Sequence, residues 1–513
     1  MTGGLIQLVA YGYADIFLTR DPQITFFKVV YRRYTNFTIE PIPQYFDKPP
    51  NFGKTSTCTI AKNSDLVGNI MLVVTLPKIN IPSPTSTYTN KFAWVKRVGH
   101  AMLKKIEVEI NGNLIDRHYG EWLSVWSELT GMIDGNHSKS YNQMIGDTDI
   151  LTNFTTQKNE YQLFIPFYFW FCRSPGLAVP IVCLSYSDIK INVEFDDVEN
   201  CYMLTPTHSI KYDGTTNAML GFQPNEYLEQ IVSGNVCAGI FINYDPVQNT
   251  LYYRKITDGK LNGIPTTGQS IVSDYAIVGK TSGFVCYPTT SNSVSLPKPV
   301  IKNLSLSDCF LLVDYYFLDI EERVKISQSK HEYIIEQLFY TPISSIGGTT
   351  EIATLSVSHP CKLLVWIAQL DYLRNSGDLY NYTNSYQHRV SLSELSDVNL
   401  GQPIGNPLIL SETILFNGNP RISVRKSDYF TQTQQYQTTD YTTTSGTHMY
   451  SFALHPLLLQ PTGASNISQL SNLQLQINLS PIISPTLTAS LRTYAVCYNV
   501  LRIVSGLAAL VFV

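Results

Sequence analysis

A chain of 513 residues, 44% of them hydrophobic, is too long for one ordinary core and suits two domains. Only 15% of the residues are charged, against roughly 25% in a typical soluble protein, so much of the surface is neutral and suited to being covered by neighbours. The formal net charge of −4 gives no electrostatic basis for wholesale nucleic-acid binding and argues against a genome-coating role.

In chain order, Met1 to Ala10 shows no basic stretch followed by a long apolar one, so no secretory signal is visible. Thr2 stands before Gly3 and Gly4, which breaks the N-myristoylation pattern. Residues 1–26 carry few charges and precede the first clear strand, so they read as an N-terminal arm. Short β-like runs separated by turn residues follow: Leu66–Leu76, Ile106–Ile110, Ile189–Phe195, Cys309–Leu318, Ile352–Val357, Leu363–Ile367, Leu473–Leu479 and Tyr494–Ile503. In Lys105–Ile110 and Asp188–Glu194 apolar and polar residues alternate, the period-2 pattern of a strand with one buried face. Helical patterns are few, Gly120–Thr130 and the weaker Glu332–Leu338. The fold class is all-β, built of sandwiches or barrels. Heavy use of Tyr (33) beside 23 Phe suits strands and interfaces.

A weak repeat runs through this pattern. Glu109–Ile115 resembles Leu415–Arg421: in both, an Asn-Gly pair (Asn111-Gly112, Asn417-Gly418) ends an alternating strand, as a tight hairpin turn with positive φ requires. The same order of signals then follows each copy, through Tyr161–Phe195 and through Tyr450–Leu479. Two similar β domains in tandem are expected. Between them, Cys201 to Ser307 is rich in Thr, Ser, Asn, Gly and Tyr. Its turn pairs (Asp213-Gly214, Asp258-Gly259, Asn262-Gly263) separate short β-like pieces at Ala238–Asn243, Thr250–Lys255 and Ile271–Val278. This reads as a small β-rich insertion on an exposed loop of the first domain. At the other end Tyr494–Ile503 reads as a closing strand, with Val500, Leu501 and Ile503 expected against the second domain. The apolar run Leu501–Val513 falls short of the ~20 residues that span a bilayer.

The search for chemistry finds little. No P-loop, nucleophile elbow, HExxH or EF-hand pattern is present. Nine cysteines (58, 172, 183, 201, 237, 286, 309, 361 and 497) lack a CxxC pair and read as buried free thiols. The acidic pairs Asp196-Asp197 and Glu321-Glu322 could be metal ligands or a general acid and base, but solvated strand-end carboxylates are ordinary. His118, in Asp116-Arg117-His118, and His331, beside Glu332, read as interface or core hydrogen-bonding residues. Arg32 and Arg33, between Tyr31 and Tyr34, are too few for a basic stripe and read as ties from the arm to a neighbouring subunit or to an underlying smaller protein. Glycosylation sequons are common by chance and none is assigned. No catalytic, cofactor-binding or metal residue is expected.

The opening run Gly3–Gly12, continuing through Pro22–Lys28 and Tyr31–Phe37, resembles the start of the major capsid proteins of nucleocytoplasmic large DNA viruses. Four further blocks are similar: Asn111-Gly112 with Ile115–Tyr119, Ser174–Pro180, His331–Leu338 and Asn499–Gly506. The resemblance covers nearly the whole chain, and Cys201–Ser307 departs from it by its length. It implies two tandem eight-stranded antiparallel jelly rolls, a double jelly roll with the β-rich insertion in the first. The expected division is an arm at 1–26, a first roll at 27–325 with the insertion at about 201–307, and a second roll at 326–513.

The function implied is that of a non-enzymatic major structural protein of an icosahedral capsid, with no cofactor. As a homotrimer it would form pseudo-hexagonal capsomers that tile the outer shell. The expected partners are its own copies, neighbouring capsomers, and minor capsid and penton proteins, with the arm close to an inner membrane and no direct nucleic acid. Synthesis and assembly would fall in the host cytoplasm and residence in the virion. The alternative from another class is a carbohydrate-binding or glycan-processing β-sandwich, which needs two convergent carboxylates in a groove. A scaffold that shapes the shell and is then lost shares the fold and differs in virion abundance.

Overall fold

The computed structural model describes residues 3–512 except 11, 30, 82–87, 134, 136–137, 214–220, 233–234, 257–275, 290–292, 303, 385–405, 442 and 444–445. Two short helices open the chain, α1 (Gly3–Val9) and α2 (Tyr13–Thr19), neither with a buried residue. Eight strands then build the first sandwich: β1 (Phe37–Gln44), β2 (Thr55–Thr59), β3 (Leu66–Leu76), β4 (Leu103–Ile110), β5 (Asn113–His118), β6 (Tyr161–Pro166), β7 (Ile189–Phe195) and β8 (Ser307–Leu318). They form two antiparallel sheets in the orders β1-β8-β3-β6 and β2-β7-β4-β5.

The second sandwich holds β9 (His331–Ile346), β10 (Thr350–Thr354), β11 (Pro360–Leu370), β12 (Ile409–Phe416), β13 (Asn419–Pro420), β14 (Thr447–Ser451), β15 (Leu473–Leu479) and β16 (Ala489–Val504). Their orders are β9-β16-β11-β14 and β10-β15-β12-β13. Each label is the first sandwich's label advanced by eight, so the same jelly-roll winding occurs twice. A short strand, β17 (Leu507–Leu510), folds back on β16.

The Asn-Gly pairs occupy equivalent places, between β4 and β5 and between β12 and β13. In both, Asn and Gly have positive φ (55° and 76° at 111–112, 52° and 80° at 417–418), the backbone that a two-residue hairpin turn demands. Alternation on β7 and β15 buries every second side chain, as the sequence pattern predicts. The edge strand β1 carries Pro41 and Pro43, which remove backbone donors from a sheet margin otherwise open to pairing.

Two departures from the sequence reading have physical causes, and one element it placed correctly packs on both rolls. Glu332–Leu338, read as weakly helical, lies inside the 16-residue strand β9, because pairing with β16 from His331↔Ile503 onward overrides local propensity. Helix α3 (Gly120–Leu129) forms where the periodicity places it, but Trp122, Val125, Trp126 and Leu129 face the second roll while Leu123 joins the first roll's core. Leu501 and Ile503 pair through their backbone with the second roll's β9, yet their side chains sit in the first roll's core with Ala508. The long antiparallel pair of β9 and β16 therefore crosses from one sandwich into the other.

The insertion folds as a seven-stranded sheet drawn from 208–295, with its own core around Leu228, Phe241, Leu251 and Tyr253. It leaves the first roll after β7, but Ile240 and Ile256 join the second roll's apolar cluster. Most of the expected strand Ile271–Val278 lies outside the described residues; Ile277–Gly279 is a strand. The Asp258-Gly259 and Asn262-Gly263 turns, and Gly214, lie outside them too.

Candidate functional site

The residues that distinguish this fold lie where the two rolls meet and where apolar side chains meet solvent. Helix α3 lies between the sandwiches. Toward the first roll, the buried guanidinium of Arg97 donates to Glu128 Oε1 at 2.6 Å and to Ser124 Oγ at 2.5 Å. Toward the second, Glu121 pairs with Arg492 at 2.6 Å and accepts from the Tyr494 hydroxyl at 3.0 Å. Trp122 packs on Tyr494 with ring centroids 5.1 Å apart, and Arg173 lies 5.0 Å over the ring of Trp126. Because these charges are paired as they are buried, the junction avoids the penalty of an isolated buried ion.

A second set of contacts runs from β5 to β9. Asp116 Oδ1 accepts from the Leu338 backbone amide at 3.0 Å, and Gln337 Nε2 donates to the Ile115 carbonyl at 2.5 Å. Glu336 receives both Arg173 of the first roll and Lys362 of the second. Burial outweighs the attraction of Glu336 and pushes the Lys362 ammonium down to about 8.

The residues singled out for chemistry take ordinary places. His118 lies 3.1 Å from Asp116 and stacks on Phe169, inside the junction. His331 contacts the Ile326 carbonyl at 2.8 Å. Glu321 and Glu322 stand in the first turn of α4 (Ile320–Gln328), where carboxylates complement the helix dipole, and Asp319 caps that helix. Asp196 accepts from Asn200 at 3.1 Å and from the Asp197 backbone amide at 2.8 Å. Among the described residues no cluster of His, Cys, Asp and Glu is arranged to hold a metal, and all nine cysteines are free. A cavity of about 1090 Å³ opens where the two rolls and the insertion meet. Of its carboxylates, Glu121 is paired with Arg492, and Glu194 with Lys104 and Lys105.

The N-terminal segment carries a run of solvent-facing apolar side chains: Phe17 is 77% exposed, Phe26 87%, Phe27 98%, Tyr31 88% and Tyr34 86%. Sequence reading ended the arm at Phe26; the exposed stretch continues to β1 and includes Arg32 and Arg33, both exposed. No helix among the described residues is long and apolar enough to cross a membrane.

Two jelly rolls of identical winding, fused through a shared strand pair and a charged, aromatic junction, define the double jelly-roll class of viral shell proteins. Comparison with known proteins agrees. Residues 25–228 match the family described as major capsid protein N-terminus, and residues 322–509 match large eukaryotic DNA virus major capsid protein. The chain is 34% identical to "Probable capsid protein 4" of Acanthamoeba polyphaga mimivirus, over 100% of this chain and 99% of that protein. It is 32% identical to the major capsid protein of Pyramimonas orientalis virus over the full length of both. Among solved structures, the Faustovirus major capsid protein superposes with a TM-score of 0.65 at 13% identity, covering 96% of this chain and 95% of that one, a likeness of fold. The chain belongs to the major capsid protein family of large eukaryotic DNA viruses. Members of that family are structural, non-enzymatic components of the virion.

Proposed function

We propose that three copies of this chain associate about a threefold axis into a capsomer of pseudo-hexagonal outline, and that these capsomers tile the outer shell of an icosahedral particle. The observation that carries the reading is the strand order repeated twice in one chain. Two like lobes per subunit become six about a threefold, so a closed C3 unit can fit a hexagonal lattice. The junction built on α3 and the β9/β16 strand pair supports it, because a capsomer of fixed outline needs its two lobes held in one orientation.

We divide the chain into an arm at 1–26, a first roll at 27–325 with the insertion at about 201–307, and a second roll at 326–513. The arm's exposed aromatic residues, with the basic trio Lys28, Arg32 and Arg33 that follows the arm, suit a base that meets minor capsid and penton proteins or an inner membrane. The insertion suits the outward crown. Synthesis and assembly belong to the host cytoplasm, and the net charge of −4 leaves the genome without direct contact. Quantitative mass spectrometry of purified virions tests the role. The chain should be among the most abundant virion proteins, whereas a trace amount would point to a scaffold that is lost on maturation.

A further inference from the structure

Cys361 on β11 and Cys497 on β16 are register partners across the antiparallel ladder, and both are fully buried. A bulge at Lys362 brings their side chains to the same face. The register steps from Cys361↔Cys497 to Leu363↔Val496, so that Cys361 joins Leu364, Trp366 and Ala368 in the second roll's interior. Leu363 and Val496 instead face α3. Without the extra residue, strict alternation would put Cys361 on the face of Leu363, toward the first roll. Cys361 Sγ meets the Leu363 carbonyl at 3.4 Å. No other cysteine among the described residues has a cysteine as its strand partner.

We propose that Cys361 and Cys497 are an oxidative cross-linking site, joined by a disulfide when the folded protein meets a two-electron thiol oxidant. Directly opposed residues of an antiparallel pair hold their Cβ atoms about 4.5–5.5 Å apart, and a disulfide needs about 3.5–4.5 Å, so the strands need only a small approach. Two S–H bonds break and one S–S bond forms. The two electrons and two protons pass to the oxidant, as when an azo compound is reduced to a hydrazine. Burial and the neighbouring thiol push the Cys497 thiol well above its ordinary range, which makes the pair slow to react until the sheet opens locally. The bond would close a loop from 361 to 497 that includes β12 to β15, restricting unfolding of the second roll once a particle leaves a reducing compartment.

The test treats the purified full-length protein with diamide, both at 25 °C and a few degrees below its melt, where local opening is frequent. Remaining thiols are then alkylated in denaturant and peptides are read by mass spectrometry. The expected product is a 361–497 cross-linked peptide, two fewer alkylated thiols, and a raised melting temperature that dithiothreitol reverses. Cys361→Ala and Cys497→Val should each fold and lose both the cross-link and the shift. Recovery of Cys361 and Cys497 fully alkylated at both temperatures, or their linkage to other cysteines instead, overturns the proposal.

Discussion

Truncating Trp126 to Ala tests whether the two rolls are coupled through α3. The side chain is 4% exposed and belongs to the cluster that joins α3 to Leu363, Val365 and Val496 of the second roll. Removing a buried Trp costs about 3–5 kcal/mol. Loss of the stacked Arg173 guanidinium adds about 0.5–2 kcal/mol, less whatever Arg173 retains through Glu336 and the Leu457 carbonyl. The total, roughly 3.5–7 kcal/mol before that deduction, is comparable to the whole stability of many domains. It falls on the contact between lobes, so the wild type should unfold in one transition and the variant in two. Differential scanning calorimetry reads this, together with protease cutting at α4, whose side chains are not buried. Leu123→Ala, on the same helix but in the first roll's core, should lower stability without separating the transitions. A Trp126→Ala protein that melted at the wild-type temperature in a single transition would refute the coupling.

Gly112→Val and Gly418→Val should each cost about 1–3 kcal/mol through backbone strain, since a Cβ at either position meets nothing within 4 Å; denaturant melts differing by more than that range between the two would break the equivalence of the turns. Lys362 holds its proton only up to about pH 8 in the fold, against about 10.5 when unfolded, so the unfolded chain binds the extra proton between those values and stability rises with pH across that window. Lys362→Met should remove that rise and be stabilising at pH 7 by about 3 kcal/mol at most; pH-dependent melts of the two proteins check it, and identical pH profiles would contradict it. Replacing residues 209–294 with a short Gly/Ser linker joins ends that are already strand partners, His208 opposite Ser295. The shortened chain should stay soluble and oligomeric by light scattering, with a lower melting temperature because Ile240 and Ile256, at about 1.5–3 kcal/mol each, no longer cover the second roll. Aggregation would show that the insertion is part of the core.

Strands whose burial alternates within one sheet, such as Ile189–Phe195 and Leu473–Leu479, could be read directly, and so could the positive-φ turns at Asn111-Gly112 and Asn417-Gly418. What could not be read is set by partners far along the chain. Glu332–Leu338 has helical spacing but is held extended by residues near 500, and nothing local signals that pairing. Leu501 and Ile503 look like any closing strand; their burial in the first roll follows from where the β9/β16 pair crosses. Ile240 and Ile256 lie in a Thr- and Ser-rich stretch that reads as an appendage, and their contact with the second roll is purely tertiary. Cys361 and Cys497 are 136 residues apart, and only the β11/β16 register with its bulge at Lys362 makes them neighbours. The partners of Glu121 and Glu336 come from the second roll, Arg492 and Lys362, and nothing near either glutamate in the sequence signals them.

The trimeric capsomer is tested most directly by the solution mass of the full-length protein, measured by sedimentation equilibrium at micromolar concentration. The account predicts a single species of three times the 57.7 kDa chain mass. A folded, cooperatively melting protein that sedimented as a stable monomer would contradict it.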